Sequence, residues 1–230
     1  MNPGAAERRA AAAQVLVDDP TRPELAVADA HHIERVLRLR AGEAVVAFDG
    51  RGGWAPCRYA GGRRLDPTGP AAREPCPSPA LTVAFAPVKG ERPEWVVQKL
   101  TELGVDRIVV VAAARSVVRW NGERERSAMD RLRRVAAEAA AQCRRVWIPQ
   151  VQGVDPLASL AGQGLALAEP GAPPLPVGCI GVAVGPEGGW DGAELAMGWP
   201  TVGLADHVLR AETAALAAGV LLAARRAGTV

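Results

Sequence analysis

Residues 179–190 read CIGVAVGPEGGW, and this stretch decides the fold. Cys179–Val184 is a short apolar run, which predicts a strand covered on both faces. Gly185-Pro186-Glu187-Gly188-Gly189 then breaks it. Asp191, with Glu194 three positions on, has the spacing of a helix capping box. A strand that feeds a glycine-rich turn and then a helix is one unit of an α/β domain. Ligands of open α/β sheets sit beyond the carboxyl ends of such strands. The turn is neither Gly-x-Gly-x-x-Gly nor a Walker loop, so by itself it reads either as a ligand cradle or as a plain turn. Glu194 has a local task in securing the helix start; Glu187 has none.

The same alternation extends both ways. Upstream, Leu81–Ala86 reads as a strand, and Pro93 suits the first turn of a helix that runs to Leu103 and stops at Gly104. Arg107–Ala112 is a continuous apolar strand. Ser127 is the expected cap of a long helix to about Cys143. Leu165–Ala168 is a strand that turns at Ala168-Glu169-Pro170. Downstream, Thr201–Ala205 is the last strand. The segment Leu204–Thr213 then crowds Asp206, His207, Arg210, Glu212 and Thr213 between that strand and a helix over Ala211–Arg226. Glu212 falls in the helix's first turn, where a carboxylate suits the dipole. The helix is apolar on nearly every side, which predicts burial between elements or subunits. This pattern predicts an α/β fold with a mostly parallel sheet.

The first third is different. Gln14–Val17, Ala44–Phe48 and Trp54–Tyr59 read as strands, the last two joined by a turn at Asp49-Gly50 and Gly52-Gly53. Asp29 caps an expected helix over Ala30–Leu39, with Ile33, Val36 and Leu37 as its apolar stripe. The stretch 66–79, DPTGPAAREPCPSP, holds five prolines and can be neither a continuous helix nor a central strand. It is the expected linker. The domains are therefore expected at 1–78 and 79–230.

Composition narrows the function. Hydrophobic residues make up 49% and charged residues 23%, which suits a globular chain with a real core. No apolar run approaches the ~18 residues of a membrane helix, and the first residues lack the apolar stretch of a secretory signal, so a cytoplasmic protein is expected. Cys57, Cys76, Cys143 and Cys179 lie far apart with only three histidines in the chain, which predicts neither a zinc site nor a disulfide framework. The net charge of +2 is uneven: residues 76–150 carry 13 basic and 8 acidic groups, residues 151–230 carry 3 and 7. A basic middle invites phosphates. Arg35, Arg38, Lys89, Lys99, Arg115 and Arg145 are the expected contacts to nucleic acid, although surface solubility accounts for such residues equally well.

Several of these segments recur together in one known family. His32-Ile33-Glu34-Arg35-Val36-Leu37-Arg38-Leu39 followed by Phe48-Asp49-Gly50 resembles its first-domain signature. Lys89-Gly90, Gln98-Lys99, Glu102-Leu103-Gly104, Arg115-Ser116 and Glu138-Ala139-Ala140 with Gln142 resemble its second-domain motifs. The most specific pair is Gly185–Gly189 with Glu194, then Val208-Leu209-Arg210 with Glu212-Thr213-Ala214. In order and spacing the chain resembles the bacterial 16S ribosomal RNA uridine-N3 methyltransferases of the SPOUT trefoil-knot superfamily.

The resemblance implies an N-terminal PUA-like β-barrel and a knotted C-terminal α/β domain that forms a homodimer. It implies S-adenosylmethionine as cofactor and 16S ribosomal RNA, or the small ribosomal subunit, as partner. The cofactor would be held by three loops: Leu167, Ala168 and Glu169; Gly185, Pro186, Glu187, Gly188 and Gly189; and Leu204, Ala205, His207, Val208 and Leu209. Arg210, Glu212 and Glu187 would carry the chemistry. The chain departs from the family pattern at Ala141, Cys143, Arg144, Ala205 and His207, where the family usually has Glu, Ser, Gly, Gly and Arg. A ribose 2′-O methyltransferase of the same superfamily, or a non-catalytic RNA-binding assembly factor, are the alternatives.

Overall fold

A computed structural model describes residues 3–32, 35, 38–88 and 92–229. The chain divides into two compact units, one of residues 1–76 with 137–148, the other of 77–136 with 149–230. The N-terminal part separates two residues before the expected boundary at 78. The recruitment of 137–148 into the first unit is invisible to any linear division.

The first unit contains α1 (Pro3–Ala10), β1 (Ala13–Leu16), α2 (Val27–His32), β2 (Ala44–Phe48), β3 (Gly53–Gly61), β4 (Arg64–Pro67) and β5 (Ala72–Arg73). The sheet order is β1-β2-β3-β4, with β5 paired to β3; β1 runs parallel to β2 and the other pairs are antiparallel. Alternation along β2 sends Val45 and Ala47 into a core with Val15, Leu25, Cys57 and Leu65. Val46 and Phe48 face the other way, against Trp54, Ala140 and Val146. That second face explains why residues 137–148 belong to this unit. At the β2–β3 turn, the Asp49 carboxylate accepts N–H bonds from Arg51 at 2.7 Å and Gly53 at 2.9 Å. The proline-rich stretch is not free linker throughout, because it contributes the end of β4 and the two-residue edge strand β5. α2 starts at Val27, so Asp29 lies in its first turn rather than capping a helix over Ala30–Leu39; Arg38 has φ 53°, which is not helical, and Ile33, Val36 and Leu37 lie outside the described residues.

One departure from the family pattern has a clear structural setting. Arg144 has φ 64°, a left-handed conformation that favours glycine after a helix. Its guanidinium donates to the carbonyls of Ala11 at 2.8 Å and Ala12 at 3.2 Å, which offsets the backbone cost. Burial holds its pKa below the usual arginine value.

The second unit is built on six parallel strands in the order β11-β9-β10-β6-β7-β8. They are β6 (Thr82–Phe85), β7 (Arg107–Ala112), β8 (Gln150–Pro156), β9 (Leu165–Ala168), β10 (Gly181–Val184) and β11 (Thr201–Val202). Every residue of β6 and β10 is buried, as a sheet covered on both faces requires. The helices are α3 (Arg92–Glu102), α4 (Gly122–Gln142, of which 137–142 count with the first unit), α5 (Gly192–Leu195) and α6 (Ala211–Arg226). α4 begins five residues before the expected Ser127 cap, with Glu123 and Glu125 in its first turn. Sequence reasoning missed β8, an edge strand whose Gln150, Gln152 and Asp155 hide the apolar pattern. From edge strand β11 the chain returns past the ends of β9 and β10, and α6 packs on β6, β10 and α3. The buried face of α6 is mostly small, with Ala211, Ala214, Ala215, Ala218 and Gly219 beside Leu222, and Gly219 lies against Leu100 of α3. Among the described residues, no helix is long and apolar enough to cross a membrane.

Candidate active site

Parallel strands end on one edge of the sheet, so the turns after β9, β10 and β11 meet there. They enclose a cavity of about 520 Å³, completed by the start of α6. Of the residues expected to hold a cofactor, Ala168, Glu169, Gly185–Gly189, Leu204, Ala205, His207, Val208 and Leu209 all line it. Leu167 does not; its side chain is fully buried in the core beneath β9. Arg210 and Glu187 also line the cavity, and both are exposed.

The β10 turn is tied to the β9 turn and to the residues after β7. Trp190 is 3% exposed, and its indole N–H donates to the Ala168 carbonyl at 3.2 Å, joining the β10 turn to the β9 turn. Its ring lies so close to Gly185 that a Cβ there would come within 3.1 Å of it. Glu194 is 6% exposed and forms the expected capping box with Asp191. Its second contact was not foreseeable. One carboxylate oxygen accepts from the Asp191 N–H at 2.8 Å, the other from the Ala114 N–H at 2.9 Å, beyond the end of β7. Arg115 adds a reciprocal tie by donating to the Gly188 carbonyl at 3.1 Å. The later end of the glycine turn is thus held toward the end of β7 by a buried carboxylate and a guanidinium.

Glu212 is less free than its sequence position suggests. One oxygen pairs with Arg92 of α3 at 3.3 Å, and the other is buried with no hydrogen-bond partner. Sequence reasoning named neither Arg92 nor Trp190. The only available signals were a cation beside the proline of a helix start and an indole directly after the glycine turn. Arg210 is the N-cap of α6 without a side-chain capping bond. Of the expected nucleic-acid contacts, Arg35, Arg38 and Arg145 belong to the first unit, and Lys99 and Arg115 to the second. Lys99 is occupied by Glu102 at 2.8 Å. Lys89 lies outside the described residues.

The sequence matches the RNA methyltransferase domain family over residues 74–223 and the RNA methyltransferase PUA domain family over residues 25–65. The chain belongs to the RNA methyltransferase family. It is 34% identical over 210 residues to ribosomal RNA small subunit methyltransferase E of Mycobacterium bovis, covering 81% of this chain and 80% of that protein. The Bacillus subtilis enzyme of the same name is 28% identical, with 82% and 84% covered. Among solved structures, a putative methyltransferase of Legionella pneumophila with bound cofactor SAM superimposes with TM-score 0.79 at 27% identity, covering 92% of this chain and 97% of that one. Ribosomal RNA small subunit methyltransferase E of Neisseria gonorrhoeae bound to S-adenosyl methionine gives 0.77 at 25% identity, with 91% and 96% covered. The expected fold holds: a knotted SPOUT-type α/β domain joined to a PUA-like domain. The methyltransferase's candidate site therefore lies where its fold brings the three loops together.

Proposed function

We propose that this enzyme transfers the methyl group of S-adenosylmethionine to N3 of a uridine in 16S ribosomal RNA. The supporting observation is the single cavity shared by the turns after β9, β10 and β11. Its volume suits a ligand of that size. Val184, Leu204 and Leu209 offer apolar wall for an adenine ring, while Glu169 and Glu187 suit ribose hydroxyls or an ammonium. Close backbone approach at Gly185–Gly189 makes main-chain contacts dominant.

When bound, the sulfonium supplies an already electrophilic methyl group. The protein's work is to align N3 with it and to favour loss of the N3 proton. Arg210 at the cavity wall stabilises the negative charge that develops on the uracil ring. Glu187, exposed in the same wall, accepts the proton. Glu212 holds Arg92 and the start of α6 in place. Because N3 lies on the pairing edge, the target uridine must be unpaired or splayed out. The protein acts in the cytoplasm as a homodimer, and Arg35 and Arg38 grip flanking RNA.

The test is incubation of unmodified small subunits with labelled S-adenosylmethionine, then mass spectrometry of the nucleosides. 3-Methyluridine is the expected product. Label on a ribose 2′ oxygen, or none at all, overturns the proposal.

A further inference from the structure

A second cavity, of about 310 Å³, opens beyond the carboxyl ends of β6 and β7. Val88 follows β6, and Val118 and Trp120 follow β7. Arg124, Ser127, Ala128 and Arg131 project from one face of α4, at the three-, four- and seven-residue spacing that aligns side chains on a helix. In the sheet order β6 pairs directly with β10, so this cavity lies beyond the strands next to those that carry the candidate active site. Both lie beyond the carboxyl ends of the same parallel sheet.

The side chains are of three kinds. Trp120 is a half-buried flat ring, and Val88 and Val118 add apolar wall. Arg131 is held by an ion pair to Glu94, with its side chain still 55% exposed. Arg124 and Ser127 have no side-chain hydrogen bond or ion pair among the described residues. By contrast, Arg133 on a neighbouring face is taken up by Asp130 at 3.0 Å. A bare anion would need only the guanidinium groups. An indole beside two guanidinium groups and a hydroxyl suits an unpaired nucleotide, its base stacked and its phosphate bridged.

We propose that this cavity is an RNA subsite for a nucleotide flanking the target, with the base stacked on Trp120 and the phosphate held by Arg124, Arg131 and Ser127. The proposal rests on the chain's reading as an RNA methyltransferase.

The experiment uses the full chain and three variants: Trp120→Ala, Trp120→Phe and Arg124→Gln. Anisotropy with a short unpaired oligoribonucleotide reads RNA binding, and calorimetry with S-adenosylmethionine reads the cofactor cavity. Trp120→Ala is expected to weaken RNA binding about tenfold, within the range for loss of one stacked base. Trp120→Phe should recover most of that loss. Arg124→Gln should weaken binding and lower the salt slope by about 0.7. Cofactor affinity should stay within about twofold of the starting protein in all three, because these residues line a different cavity. Unchanged RNA affinity in folded Trp120→Ala and Arg124→Gln overturns the proposal. Failure of the starting protein to bind S-adenosylmethionine would instead sink the methyltransferase reading, and the RNA measurements would still decide the subsite.

Discussion

Glu194→Ala is the sharpest test of how the candidate active site is held. The carboxylate is buried and accepts two backbone N–H bonds, from Asp191 at 2.8 Å and from Ala114 at 2.9 Å. Hydrogen bonds to charged groups contribute about 1.5–3 kcal/mol each. Ala114 is exposed and Asp191 half-buried, so water can reach both donors and the lower end applies. The expected loss is therefore about 3 kcal/mol in total. For a chain of this size that is a fall in Tm of roughly 6–12 °C. About half of it is the tie from Ala114 to α5, which keeps the glycine turn against the end of β7. Releasing that tie should weaken S-adenosylmethionine about tenfold, since 1.4 kcal/mol is one decade. Glu194→Gln keeps one acceptor but turns an amide N–H toward the other donor, so it should recover only about half of the loss. Thermal unfolding and calorimetric titration of both variants read the two effects separately. A Glu194→Ala protein with unchanged Tm and unchanged cofactor affinity would refute the assigned role.

Other outcomes follow from the same contacts. Arg210→Ala should lower kcat by roughly a hundredfold, as loss of a charge-stabilising group does, and raise KM for S-adenosylmethionine far less; equal effects on both would remove Arg210 from the chemistry. Gly203→Ala places a Cβ 2.4 Å from the Ala172 carbonyl oxygen, which is backbone and cannot yield, so a loss of about 1–3 kcal/mol is expected in urea unfolding. Burial pushes the Cys57 thiol up to about 11, from an ordinary value of 9.0. Its contribution to stability is complete below pH 9.0 and is lost as pH rises toward 11, because only the unfolded chain ionises there; Cys57→Ala should flatten that part of the stability curve. Arg144→Ala keeps the left-handed backbone and loses the bonds to Ala11 and Ala12, so it should cost more stability than Arg144→Gly, and equal Tm values would show that φ at 144 carries no strain.

Removing residues 1–75 is a poor probe of RNA binding in this chain. Ala140 and Val146 pack on Val46, Phe48 and Trp54, and the truncation would expose them. Substituting Arg35 and Arg38 tests the same idea without stripping that face.

Much of the second unit was legible because its strands are short apolar runs bounded by glycine, proline or a capping residue. Leu165–Ala168, Arg107–Ala112 and Ala211–Arg226 have the ends that the sequence predicts. Local spacing also sufficed for the Asp191–Glu194 capping box, since both partners lie within one turn of helix. β8 escaped because an edge strand need not be apolar, and the early start of α4 escaped because its first turn is charged rather than capped by Ser127.

Sequence alone determined which residues form the three turns, because turn chemistry is local and glycine, proline and polar side chains announce it. Only tertiary structure decided that Glu194 reaches Ala114, that Trp190 joins two of the turns, and that Arg92 engages Glu212. Those partners are 80, 22 and 120 positions apart or belong to separate helices, and contacts over such separations depend on strand order, which no local pattern encodes.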